Sequence, residues 1–134
     1  MAIEGQGGPV LASSRAEGFA GFLDREALLK RVFGNVPLLQ ELIRLFFEEY
    51  PTCLAEIRQA IRLGNAPALR QAAHLLRGSV GNFGPSPVYE AAGRLEHMGR
   101  TGNLDDAEAA YFNLDRALHQ LQPLLAGMAL EPVA

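Results

Sequence analysis

Leu69-Arg70-Gln71-Ala72-Ala73-His74-Leu75-Leu76-Arg77-Gly78-Ser79-Val80-Gly81-Asn82-Phe83-Gly84 is the stretch on which the reading of this 134-residue chain turns. Placed on a helix at about 100° per residue, Leu69, Ala72, Ala73, Leu76, Val80 and Phe83 gather on one side as a core stripe. His74 points to nearly the opposite side. Its face carries Arg70 one turn before it, Arg77 and Gly78 one turn after it, and Gly81 two turns on. A glycine inside a helix costs about 0.8–1.0 kcal/mol relative to alanine. Two of them beside one exposed histidine point to something that must approach the imidazole closely.

The same spacing extends outward in both directions. Asp24 is placed to cap a short helix, Arg25 to Phe33, that stops near Gly34. Asn35 caps a long second helix with Pro37 in its first turn. Its apolar positions are Leu38, Leu39, Leu42, Ile43, Phe46, Tyr50, Cys53, Leu54, Ile57 and Ile61, and the pattern passes through Pro51 without a shift, which predicts a kink rather than an end. Gly64 closes this helix and Asn65 caps the one bearing His74. After the Gly84-Pro85-Ser86-Pro87 break, a fourth helix spans Pro87 to Arg100, with Val88, Ala91, Ala92, Leu95 and Met98 inward. A fifth runs from about Leu104 to Leu125. No segment alternates as a strand does. Long amphipathic helices joined by short loops predict an all-α fold, an antiparallel up-down four-helix bundle with a short additional N-terminal helix. Residues 1–20, rich in glycine and aperiodic, are expected to be a flexible arm or linker, 21–126 the bundle, and 127–134 a flexible tail.

Composition narrows the function classes. Hydrophobic residues make up 49% and charged residues 20%, ordinary values for one globular domain. The net charge is −3 and the basic residues are scattered, so nothing marks a nucleic-acid binder. No apolar run approaches the ~20 residues of a membrane span, and the N-terminus lacks a secretory signal, so the cytoplasm is the expected location. The single cysteine, Cys53, excludes an internal disulfide and falls on a core face.

An exposed imidazole on a rigid helix can bind metal, move protons or act as a nucleophile. Positions 70, 71, 77 and 78 are Arg, Gln, Arg and Gly, which are poor metal ligands, and no carboxylate lies between Ala66 and Tyr89 to orient the ring. Attack on phosphorus fits better. Arginine offers planar, permanently charged donors for phosphoryl oxygens, so Arg77, with Arg70 as a second candidate, can steady charge arriving on His74. Gly78 and Gly81 would clear room for a docking partner. Ser79 and Asn82 flank the site and serve either the ring's surroundings or the helix end. His97, His119, Glu48, Glu49 and Glu56 read as ordinary surface residues.

His74-Leu75-Leu76-Arg77-Gly78-Ser79 followed by Asn82-Phe83-Gly84 resembles the signature of histidine-containing phosphotransfer (HPt) domains of two-component phosphorelays. Phe22-Leu23-Asp24-Arg25-Glu26-Ala27-Leu28-Leu29 is similar to the family's entry, and Leu45-Phe46-Phe47-Glu48-Glu49-Tyr50-Pro51 to its proline-bearing second helix. Leu63-Gly64-Asn65 matches as well, so the resemblance covers about residues 21–125. It implies that His74 is the phosphoacceptor through Nε2, that Arg77 stands where the family often has lysine, and that Gly78 leaves space for the docked partner. Pro85 and Pro87 depart from the family's usual alanine and acidic residues. The resemblance further implies a carrier with no kinase activity or turnover of its own. It would be a monomer without a cofactor, taking the phosphoryl group from the receiver aspartate of a hybrid histidine kinase and passing it to the receiver of a response regulator. The receivers would supply the acidic pocket and the Mg²⁺. The alternative is a helical protein–protein interaction module that is never phosphorylated. A kinase dimerisation domain fits less well, because Leu75 rather than an acidic residue follows the histidine.

Overall fold

The computed structural model describes residues 25–130. They form five α-helices: α1 (Arg25–Arg31), α2 (Val36–Leu63), α3 (Ala66–Val80), α4 (Pro87–Thr101) and α5 (Ala107–Ala129), with a 3₁₀ turn at Gly81–Phe83 and no strand among the described residues. The expected Asp24 cap and the 1–20 arm lie outside them.

Local chemistry sets most boundaries. The side-chain oxygens of Asn35, Asn65 and Ser86 accept from the backbone N–H groups of Leu38, Ala68 and Tyr89, closing the starts of α2, α3 and α4. Each of these helices also has a proline in its first turn, where the missing donor costs nothing. Gly64 and Gly102 end α2 and α4 in the left-handed conformation, at φ 65° and 82°. α2 remains one continuous helix through Pro51.

The last turn before Gly84 is 3₁₀ rather than α, α4 ends one residue late at Thr101, and three other boundaries differ from expectation. α1 stops at Arg31, because the Gly34 N–H turns back to the Leu29 carbonyl (2.7 Å) and carries Phe33 and Gly34 into positive φ. α5 begins at Ala107 rather than Leu104: the Asn103 side chain accepts from the Asp105 N–H and holds 103–106 as a turn. At its far end α5 runs through Gly127 to Ala129, into the segment expected to be a tail. Met128 and Ala129 pack on the core there, and Gln40 donates to the Met128 carbonyl (3.3 Å).

α2 to α5 form the bundle, with α2 against α3, α3 against α4, α4 against α5, and α5 back against α2. Residue pairings show the helix directions. Along α3 the partners on α4 descend, with Arg70 beside Gly99, His74 beside Glu96 and Arg77 beside Gly93. Along α2 the partners on α5 descend too, from Gln40 with Met128 to Arg58 over Tyr111. Ile43, Phe46, Ile57, Leu69, Leu76, Leu95, Leu114 and Leu121 fill the core, where the Phe83 ring stands edge-on to Phe46. Cys53 is buried, as expected. Leu38 is not part of this core; it lies 100° round α2 from Leu39 and is 42% exposed.

Gly99 sets how closely α3 and α4 approach. A Cβ there would lie 2.5 Å from the Arg70 nitrogen, 2.7 Å from its Cα and 2.8 Å from the Ala66 carbonyl oxygen, all backbone atoms. Gly99→Ala must push the helices apart. We expect a loss of about 2–3 kcal/mol in a urea titration; an unchanged midpoint would show that the backbones yield freely.

Candidate functional site

His74 lies past the middle of α3 with its side chain 59% exposed. Its ring is nonetheless anchored. Nδ1 is 2.9 Å from Oε2 of Glu96 on α4, a residue only 6% exposed. The other carboxylate oxygen accepts from Nε of Arg77 at 2.7 Å. Arg77 also donates through Nη1 to the Tyr89 hydroxyl (3.1 Å), and its guanidinium carbon sits 5.5 Å from the Tyr89 ring centroid.

Burial alone would push the Glu96 carboxyl upward. The hydrogen bonds from Arg77 and then His74, together with their charges, outweigh it and hold the group below its ordinary value. Arg77 moves the other way, raised first by its hydrogen bond to Glu96 and then by that carboxylate's charge. An ionised carboxylate can only accept hydrogen bonds, so the ring proton resides on Nδ1. That leaves the lone pair of a neutral His74 on Nε2, the nitrogen not engaged by Glu96.

The site opens on a groove of about 510 Å³ lined by Arg31, His74, Arg77, Gly78, Asn82 and Tyr89, among others. A Cβ built on Gly78 would meet nothing within 4 Å, so this position stands open beside the imidazole. Gly81 has a structural neighbour that the sequence did not show. It lines the groove, and a Cβ there would sit 3.2 Å from the Tyr89 ring, so its missing side chain also admits Tyr89. Ser79 donates to Glu49 of α2 (3.2 Å), on the flank away from the ring. Asn82 enters the groove, and its backbone carbonyl accepts from Arg31. Arg70 is exposed, is not among the groove's lining residues, and meets α4 through its backbone at Gly99.

Sequence reasoning missed two residues that the fold brings to this site, Glu96 and Arg31. The sequence around His74 holds no carboxylate; α4 supplies one across the helix pair. A signal was available. Val88, Ala92, Glu96 and Gly99 follow the three-and-four spacing of the buried face of α4, so a charged residue occupied a core position. Arg31 was missed for a similar reason, since only the packing of α1 brings it to the groove.

The Hpt domain family model matches residues 41–124. The crystal structure of histidine-containing phosphotransfer protein B from Pseudomonas aeruginosa PAO1 is similar to this chain, with a TM-score of 0.74 at 24% sequence identity over 82% of this chain and 96% of that one. No curated protein sequence matches. Among the described residues, no helix is long and apolar enough to cross a membrane. The family match spans more than half the chain, the fold agrees with it, and the chain therefore belongs to the Hpt domain family, the histidine phosphotransfer carriers of two-component phosphorelays.

Proposed function

We propose that His74 accepts a phosphoryl group on Nε2 from the aspartyl phosphate of one receiver domain and gives it to the aspartate of another. The observation that carries this reading is the exposed imidazole whose Nδ1 is tied to buried Glu96. In the forward step the Nε2 lone pair attacks phosphorus, the bond between phosphorus and the aspartyl oxygen breaks, and the aspartate leaves as a carboxylate. The Nδ1 proton stays in place, so the phosphorylated ring gains positive charge. Glu96 faces that charge at 2.9 Å and lowers the energy of the intermediate. The return step is the same displacement with the second receiver's carboxylate as nucleophile.

Arg77 has five N–H donors. Glu96 and Tyr89 engage two of them, which leaves three for phosphoryl oxygens. The chain has no turnover of its own in this scheme. The donor is the receiver of a hybrid histidine kinase, the acceptor that of a response regulator, and any Mg²⁺ comes with the receiver. A monomer acting in the cytoplasm satisfies the scheme.

Incubation with a radiolabelled phosphoreceiver tests it: an acid-labile, alkali-stable label should move to this chain, and a chain that stays unlabelled would favour the unphosphorylated interaction module. Access supplies a further prediction. Gly78→Leu places a side chain in the open space beside His74, so transfer from the receiver should fall at least ~100-fold. Labelling by the small donor phosphoramidate should persist, because a small molecule does not need a flat face. Normal receiver transfer in the variant would remove Gly78 from the docking surface.

A further inference from the structure

The charge balance of the His74 groove leaves one cation over. Arg77 is matched by Glu96, the carboxylate it shares with His74. Arg31, at the C-terminal end of α1, lines the same groove and has no carboxylate partner among the described residues. It donates from Nε to the Asn82 carbonyl (3.2 Å) and from Nη2 to the Gly81 carbonyl (3.3 Å), with its guanidinium lying over Gly84. Those acceptors carry partial charge only, and the guanidinium keeps three donors uncommitted. The groove lining contains no acidic residue, although the chain as a whole is acidic at −3.

Whatever delivers a phosphoryl group to Nε2 brings formal negative charge to this groove, from the phosphoryl oxygens and from the carboxylate that leaves. We propose that Arg31 is a specificity-determining contact for the phosphoryl-bearing receiver: its uncompensated guanidinium, fixed on the groove rim by the 3₁₀ turn, attracts the anionic acyl-phosphate face that docks over His74. The proposal rests on the carrier reading above. Its effect belongs to encounter with a partner. The guanidinium bonds the Gly81 and Asn82 carbonyls and not the imidazole, so it acts on the incoming face.

A purely structural clamp makes the opposite forecast from an electrostatic contact. Gln at position 31 retains N–H donors for the carbonyls and loses the charge; Lys retains the charge and loses the forked geometry. The test charges a panel of purified receiver domains with acetyl phosphate, selects the one that labels the wild-type chain fastest, and compares bimolecular transfer rates for wild type, Arg31→Gln and Arg31→Lys at low and high salt. Phosphoramidate labelling is the control for an intact His74. We expect Arg31→Gln to lower the low-salt rate ~5- to 10-fold and to flatten the salt dependence. Arg31→Lys should stay within about 2-fold of wild type, and phosphoramidate labelling should be unchanged in both. Arg31→Gln transferring as fast as wild type, or Arg31→Lys being the slower variant, would overturn the proposal. If phosphoramidate labels the wild type but no receiver does, the proposal and the carrier reading fall together, whereas transfer indifferent to position 31 sinks the proposal alone.

Discussion

Replacing His74 with Gln should reduce receiver-derived label to background while leaving the bundle folded. The imidazole is mostly exposed and contributes no core area, and Arg77 continues to satisfy buried Glu96. The stability cost should therefore stay near about 1 kcal/mol, the range of one lost hydrogen bond. The comparison is informative because the chain contains an internal rival. His119 is also exposed, and its Nδ1 is held, by the Asp115 carbonyl at 2.8 Å. It lacks the other parts: among the described residues its pocket is lined by Tyr50, Leu54, Asp115, Leu118 and Gln122, with no arginine and no glycine. His97 is similarly exposed, with its Nδ1 beside Arg100. If either were the carrier, His74→Gln would retain most of the label.

The second large effect is expected at Glu96. Glu96→Ala frees the imidazole to rotate and to place its proton on either nitrogen, and leaves Arg77 without its carboxylate. Losing the group that orients a metal-bound histidine typically costs 10- to 100-fold, and we expect receiver-to-His74 transfer to slow by a comparable factor. Glu96→Gln keeps an oxygen that can accept from Nδ1 but not the charge that faces the phosphorylated ring, so it should fall in between. The same carboxylate gives stability a pH sign. Its value is lowered on folding, so its contribution is fully present above the ordinary carboxylate value of 4.5 and is lost as pH falls through the lower folded value. Glu96→Gln should flatten the acid limb of the stability profile. Wild-type transfer rates in Glu96→Ala would mean that the contact is structural only.

The parts of this molecule that follow from local rules were legible in the sequence. Asn35, Asn65 and Ser86 are caps where capping chemistry puts them, and the α3 stripe from Leu69 to Phe83 is buried as its period requires. Features that depend on two elements meeting were not. Gly81 could be read as cleared space, and only the packing of α4 reveals that Tyr89 lies against it. Gly99 gave no helical signal of its own, because its reason is the backbone of Arg70 on another helix. Glu96 shows the difference most clearly. A carboxylate at a core position of α4 and an imidazole on the polar side of α3 were each visible, and the distance between them depends on how closely the two helices pack.

In the proposed mechanism Glu96 holds His74 with its proton on Nδ1 and so directs phosphorylation to Nε2. The most direct measurement is NMR of chain carrying ¹⁵N-histidine, labelled with phosphoramidate, in which ¹⁵N–³¹P coupling identifies the bonded nitrogen. We expect a single phosphorylated histidine, His74, with phosphorus on Nε2 and the proton retained on Nδ1. Phosphorus on Nδ1 of His74, or on His97 or His119 instead, would contradict it.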